Sequence, residues 1–189
     1  MTTVVNPAPC NSAILSLPLH SVDILILNEV EGQQFVAFGD PSAPLQHGLP
    51  LLAQVVTILQ KQQQDAVQST RLVVLTLGGE GACCAVRDAK NTWLRLHLPV
   101  WPGAKVVDTT GAGDCFIGYL LAGLFAEDRV DRYATSHVET ALKQAIVASG
   151  LAVSRMGAMD AIPKREEVLS LSTLLESAQP FTVTWHPLF

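Results

Sequence analysis

Short apolar runs separated by polar, glycine- or proline-bearing stretches recur along the chain. Val22-Asp23-Ile24-Leu25-Ile26-Leu27 and Arg71-Leu72-Val73-Val74-Leu75-Thr76 are nearly continuous apolar runs. Runs of this length read as strands buried on both faces, the pattern of a mostly parallel sheet covered by helices. Thr2-Thr3-Val4-Val5 predicts a shorter strand that runs straight into Asn6-Pro7-Ala8-Pro9. A strand ending in such a loop is typical of the C-terminal ends of strands in α/β sheets, where ligands bind. From Leu49 to Gln64 the apolar positions Leu52, Val55, Val56 and Leu59 follow a helical spacing, with Gln60 to Gln64 polar and solvated; Phe38 to Gly48 reads as a loop.

Ala82 to Val86 and Thr92 to Leu98 read as paired strands around the polar turn Arg87 to Asn91. Leu94, Leu96 and Leu98 alternate with Arg95 and His97, so His97 is expected to be an exposed strand residue rather than a catalyst. Cys115 to Ala126 is apolar and predicts a buried helix, followed by a polar connection from Glu127 to Thr135. Ser136-His137-Val138-Glu139 fits a capping box opening a helix that runs to about Val153, with Gly157 as its stop. Pro163 to Ser177 predicts a last surface helix, and the tail from Pro180 to Phe189 carries three aromatics expected to pack onto the body.

Composition narrows the class. The 189 residues are 49% hydrophobic and 15% charged, which excludes disorder and fits one α/β domain spanning 1–189. A formal net charge of -5 leaves no basic footprint for nucleic acid. No apolar run is long enough to span a membrane. The four cysteines, Cys10, Cys83, Cys84 and Cys115, show no Cys-x-x-Cys spacing. A zinc site is therefore not expected, and a reducing, cytoplasmic setting without a signal peptide is.

Three stretches carry candidate chemistry. Asp108-Thr109-Thr110-Gly111-Ala112-Gly113-Asp114 is a small-residue turn opening a helix. Unbonded N–H groups and the helix dipole make such a turn an anion site, and phosphate is the usual anion. Asp114, in the first helical turn, could take a proton from an attacking hydroxyl, or could simply complement the dipole. Asn28-Glu29-Val30-Glu31 at a strand end reads either as an N-cap or as oxygen donors. Thr76-Leu77-Gly78-Gly79-Glu80-Gly81 lets backbone approach a nucleotide closely, though glycines also make hairpin turns.

The Asp108-to-Asp114 stretch resembles the second signature of the ribokinase, or PfkB, family of carbohydrate kinases. Asn6-Pro7-Ala8-Pro9, Asn28-x-x-Glu31, Thr76-Leu77-Gly78-Gly79-Glu80-Gly81 and Ser154-Arg155-Met156-Gly157-Ala158 resemble further family segments, in the family's order. The resemblance implies a ribokinase-like three-layer α/β fold and phosphoryl transfer from ATP to a sugar hydroxyl. It implies Asp114 as the base, with the N–H groups of Gly111, Ala112 and Gly113 stabilising the transferring phosphoryl group. It implies that Asn28 and Glu31 act through Mg2+, and that Thr76, Leu77, Gly78, Gly79, Glu80, Gly81 and Gly113 lie along the nucleotide. It implies K+ held by Asp108 and Thr110 with carbonyls of Ala152, Arg155 and Gly157. The sequence departs from the family at two positions. Ile146 stands where ribokinases tend to carry a polar residue near adenine, and Ala161 where a hydroxyl often joins the cation shell.

The resemblance covers roughly Val4 to Pro163 and only the family's C-terminal half. The Gly-Gly-x-x-x-Asn motif and β-sheet lid of the N-terminal half have no counterpart, so a fragment or truncated gene product is expected. The family's homodimer forms through that absent lid. ATP and a sugar are the expected partners. D-ribose is the preferred substrate, with fructokinase or adenosine kinase relatives, or a non-catalytic nucleotide-binding module, as alternatives.

Overall fold

The computed structural model describes residues 1–62, 70–126, 131–177 and 184–189. Six strands form one sheet: β1 (Val4–Val5), β2 (Ile24–Asn28), β3 (Leu72–Thr76), β4 (Ala82–Arg87), β5 (Trp93–Leu98) and β6 (His186–Pro187). Their spatial order is their chain order. β1, β2 and β3 run parallel, whereas β3 with β4 and β5 with β6 are antiparallel. The expected strands are present because their side chains have nowhere else to go: Ile24 to Leu27 and Leu72 to Leu75 are fully buried. Burial of both faces is what near-continuous apolar strands require. The predicted β4–β5 turn is built by Asp88, whose Oδ1 accepts the N–H groups of Lys90 and Thr92, with Asn91 in the left-handed region.

Five α-helices follow in order: α1 (Glu29–Gly39), α2 (Gly48–Gln62), α3 (Ala112–Leu124), α4 (Thr135–Ala152) and α5 (Arg165–Ser177). The chain forms two compact units. One comprises Met1–Gly78, Ala82–His97 and Trp185–Phe189, and the other Gly79–Gly81 with Leu98–Thr184. The first holds the sheet with α1 and α2, and its core joins Leu25, Leu27, Phe35, Leu52, Val55 and Leu75. The second holds α3 to α5 around Cys115, Val147, Ala148, Ala152, Ala161 and Val168. No helix among the described residues is long and apolar enough to cross a membrane.

Several sequence expectations need correction. The capping box at Ser136 does not form. A turn at Asp131 brings the chain into α4 at Thr135, Ala134 stands at the cap without a side-chain bond, and Glu139 reaches forward to Lys143 at 2.7 Å. α4 ends at Ala152, so Gly157 is not its stop but a left-handed residue in the loop beyond. The loop expected from Phe38 begins only at Asp40, because α1 continues through Gly39. α3 is not buried all round: Cys115, Phe116, Leu120 and Leu124 face inward while Gly118 and Ala122 are exposed. The tail contributes the unforeseen strand β6, where Leu188 is buried and Phe189 exposed. Of the expected polar and tail segments, residues 63–64, 127–130 and 180–183 lie outside the described residues.

Candidate active site

In the first unit the parallel strands deliver their C-terminal ends side by side. Asn28 and Thr76 are register partners across β2 and β3, and the Asn6 amide beyond β1 donates to the Ile26 carbonyl at 2.9 Å. Two stretches singled out in the sequence thus meet at the sheet edge where α/β folds bind ligands. Asn28 and Glu31 form a reciprocal capping box on α1. Asn28 Oδ1 accepts the Glu31 N–H, and Glu31 Oε2 accepts the Asn28 N–H, both at 2.8 Å. Glu31 is only 7% exposed. Among the described residues its Oε1 has no hydrogen-bond partner. This pair cannot surround a bare ion. It fits an ion such as Mg2+ that keeps most of its waters and is held chiefly by phosphates. The Cys10 thiol nearby is pushed up by burial and then by the Glu31 charge, so it is no nucleophile at neutral pH.

The glycines after β3 divide into two kinds. A Cβ built on Gly78 or Gly79 meets nothing within 4 Å, so their backbone borders open space. At Gly81, φ is +94° and a Cβ would lie 2.1 Å from the Leu98 carbonyl oxygen, so its glycine is demanded by packing. Thr76 is half-buried, Leu77 buried and Glu80 exposed.

In the second unit the Asp108–Asp114 stretch forms the turn its residues predict. Gly111 caps α3 in the left-handed region at φ 77°, with the Ala158 backbone 3.2 Å from where a Cβ would stand. The left-handed backbone strains any side chain there, and a Cβ would press on Ala158. The Ala112 N–H donates to the Thr109 carbonyl at 3.2 Å, so it is not free for a ligand, contrary to expectation. Among the described residues the N–H groups of Gly111, Gly113 and Asp114 have no acceptor. The free donors are thus shifted towards the helix, where the dipole adds to their pull on an anion. Asp114 is exposed in the first turn, with no hydrogen-bond partner among the described residues, at one end of a cleft of about 290 Å³ between α3, α4 and α5. Gly118, Tyr119, Ile162, Arg165 and Leu169 line its wall.

Asp108 holds the turn in shape. Its Oδ1 accepts the Thr110 N–H and its Oδ2 the Gly157 N–H, both at 2.9 Å. These bonds, from Thr110 first, hold its carboxyl below the ordinary aspartate value. The Val107 and Asp108 N–H groups both donate to the Val153 carbonyl, at 2.7 and 3.2 Å. The expected cation donors Asp108, Thr110, Arg155 and Gly157 are therefore brought together on two joined loops. A carboxylate with spare lone pairs among carbonyls suits a hard monovalent cation. The Ala152 carbonyl already accepts the Arg155 N–H at 3.1 Å. Ala161 is fully buried and offers no side-chain oxygen. Ile146 is buried in α4 and has little surface for an adenine ring.

A second support was not foreseen from the residues. The Arg155 guanidinium donates to Glu167 Oε1 at 2.6 Å, while Glu167 Oε2 accepts the Lys164 N–H at 3.0 Å. The Tyr119 hydroxyl donates to the Pro163 carbonyl at 2.7 Å. The available signal was Glu167 three residues after Lys164 at a helix start; it is faint, because lysine does not complete a capping box.

A family model described as "pfkB family carbohydrate kinase" matches residues 1–165. The bifunctional ribokinase/ribose-5-phosphate isomerase A of Fructilactobacillus sanfranciscensis is 31% identical over 169 residues, covering 89% of this chain and 26% of that protein. A fructokinase of Klebsiella pneumoniae is 38% identical over 97 residues, covering 51% of this chain and 29% of its own. The structure of ribokinase from Cryptococcus neoformans in complex with ADP superposes with a TM-score of 0.69 at 30% identity, covering 90% of this chain and 52% of that one. The chain thus spans about half of that ribokinase, and less of the other two. With the Asp108–Asp114 turn shaped as its sequence requires and the match running through 165 residues, the chain belongs to the pfkB family of carbohydrate kinases.

Proposed function

We propose that this chain carries the phosphoryl-transfer portion of an ATP-dependent sugar kinase whose substrate is D-ribose and whose product is ribose 5-phosphate. One observation carries the reading: Asp114, an exposed carboxylate without a partner among the described residues, sits in the same helical turn as N–H groups that find no acceptor among them. Phosphoryl transfer needs those two things more than covalent chemistry. Asp114 accepts the proton of the sugar hydroxyl, the hydroxyl oxygen bonds to the γ-phosphorus, and ADP leaves. The N–H groups of Gly113 and Asp114, with Gly111, hold the charge that accumulates on the transferring oxygens. Gly78 and Gly79 are assigned to nucleotide contact because open space borders their backbone. Asn28 and Glu31 would hold Mg2+ through water, and Mg2+ would supply charge neutralisation on the phosphates. Asp108 and Thr110, with the carbonyls of Arg155 and Gly157, would hold K+, which would supply positive charge to the site.

Ribose is preferred over fructose because the sequence likeness to curated ribokinases covers 81–89% of this chain and that to curated fructokinases 51–57%; the fold likeness, which reaches 84% of this chain for a fructokinase, does not separate them. The deciding experiment measures ATP-dependent ribose phosphorylation and ATP binding by the wild type and Asp114→Asn. Loss of a general base costs about 10²–10⁴ in rate. The expected result is that loss with ATP affinity retained; equal loss of both would refute the assignment of Asp114. A second reading is a nucleotide-binding module of the same fold without turnover. That reading predicts ATP binding and no ribose 5-phosphate.

A further inference from the structure

We propose that Glu167 and Arg155 form a latch through which the first turn of α5 sets the geometry of the Gly111–Asp114 turn. The inference rests on reading that turn as the phosphate site, and neither residue touches the reacting atoms. Both are positioning residues.

The contacts close a circuit. The Tyr119 hydroxyl on α3 fixes the Pro163 carbonyl at 2.7 Å, which places the start of α5 against α3. Glu167 then uses both oxygens. One holds the Lys164 N–H at 3.0 Å and the other the Arg155 guanidinium at 2.6 Å. Arg155 belongs to the loop whose Gly157 N–H grips Asp108 at 2.9 Å, and Asp108 in turn holds the Thr110 N–H at 2.9 Å. The same loop takes the Lys105 N–H on the Ser154 hydroxyl at 3.0 Å and brings the Ala158 backbone under Gly111. The path therefore leaves α3 through Tyr119 and returns to the N-terminus of α3 through Gly111. Without the latch, the 153–158 loop loses this tie to α5, so its bond to Asp108 and the Asp108–Thr110 bond open more often and the turn is held less firmly.

The latch pair itself is half-exposed, and half-exposed ion pairs add little to global stability. Its effect should thus appear in local order and affinity rather than in the melting temperature. Glu167 also lies past residue 165, where the family match ends.

The test compares wild type with Glu167→Gln, Arg155→Met, the double variant, and Glu166→Gln as a neighbouring control. Amide exchange at Thr110 and Gly157 is followed by NMR, and binding of a non-hydrolysable ATP analogue by calorimetry. Faster exchange at both amides is expected in either latch variant, with an unchanged melting temperature and analogue affinity weakened about 2- to 30-fold. The double variant should be no worse than either single one, because both remove the same contact. Exchange unchanged from wild type in both latch variants would overturn the latch, as would additive losses confined to the melting temperature. Should the wild type bind no analogue, the exchange result still decides the latch, while the phosphate-site reading alone fails.

Discussion

Asp108 shows how one carboxylate can have a structural task beside the one its sequence position suggests. The sequence marked it as an oxygen donor before an anion turn. The structure commits both its oxygens to backbone N–H groups, and these bonds are strongest while the carboxylate is charged. Its folded pKa is therefore lower than the ordinary 3.8. The sign follows: its contribution to stability is present above 3.8, and it is lost as the pH falls through the lower folded value. The Asp108 carboxyl carbon resonance should titrate with a midpoint below 3.8; a midpoint at or above it would show that the bonds are not kept in solution. Cys115 gives the opposite case, its thiol pushed up to about 11 by burial. Iodoacetamide at neutral pH should leave Cys115 unmodified in the native chain and modify it after denaturation. The motif residues were legible because they act locally, through a turn whose shape their own types dictate. Arg155 and Glu167 were not, because their pairing depends on where α5 starts relative to a loop twelve residues earlier.

Among the elements, the strands were legible because full burial leaves one composition, and the box Asn28-x-x-Glu31 because its bonds lie within four residues. The same pattern at Ser136 failed because the turn at Asp131 starts α4 two residues early, with Ala134 rather than Ser136 at the cap. A capping box has no force when tertiary context moves the helix start. α3 offers a test of opposite sign within one helix. At Gly123 a Cβ would stand 2.8 Å from the Ala141 Cβ and 3.0 Å from its Cα, so α3 and α4 approach closely there. At Gly118 a Cβ would meet nothing within 4 Å. Gly123→Ala should destabilise by about 1–3 kcal/mol through overpacking. Gly118→Ala should stabilise by about 0.5–1 kcal/mol, since alanine costs a helix interior less than glycine. Urea unfolding of the two variants measures both. Equal signs would mean that α3 and α4 are not packed as described.

At the scale of the molecule, four strongly exposed apolar side chains lie on the two joined motif loops. Val106 is 73% exposed, Met156 72% and Met159 84%, with Val107 at 56%, and Asp108 ties their loops together. Scattered apolar side chains are normal on a surface, but several on two joined loops form a patch of the kind that promotes association. The net charge of -5 on 189 residues opposes contact between copies only weakly, and salt screens it further. The chain should therefore self-associate with rising concentration, and more strongly at high salt. Replacing Met156 and Met159 together by Gln should reverse this without lowering the melting temperature, because neither side chain is buried in the fold. Sedimentation velocity over a concentration series at low and high salt reads both effects. If the wild type stays monomeric throughout, this apolar surface is no association site. If it associates and the double variant associates equally, the contact lies elsewhere on the molecule.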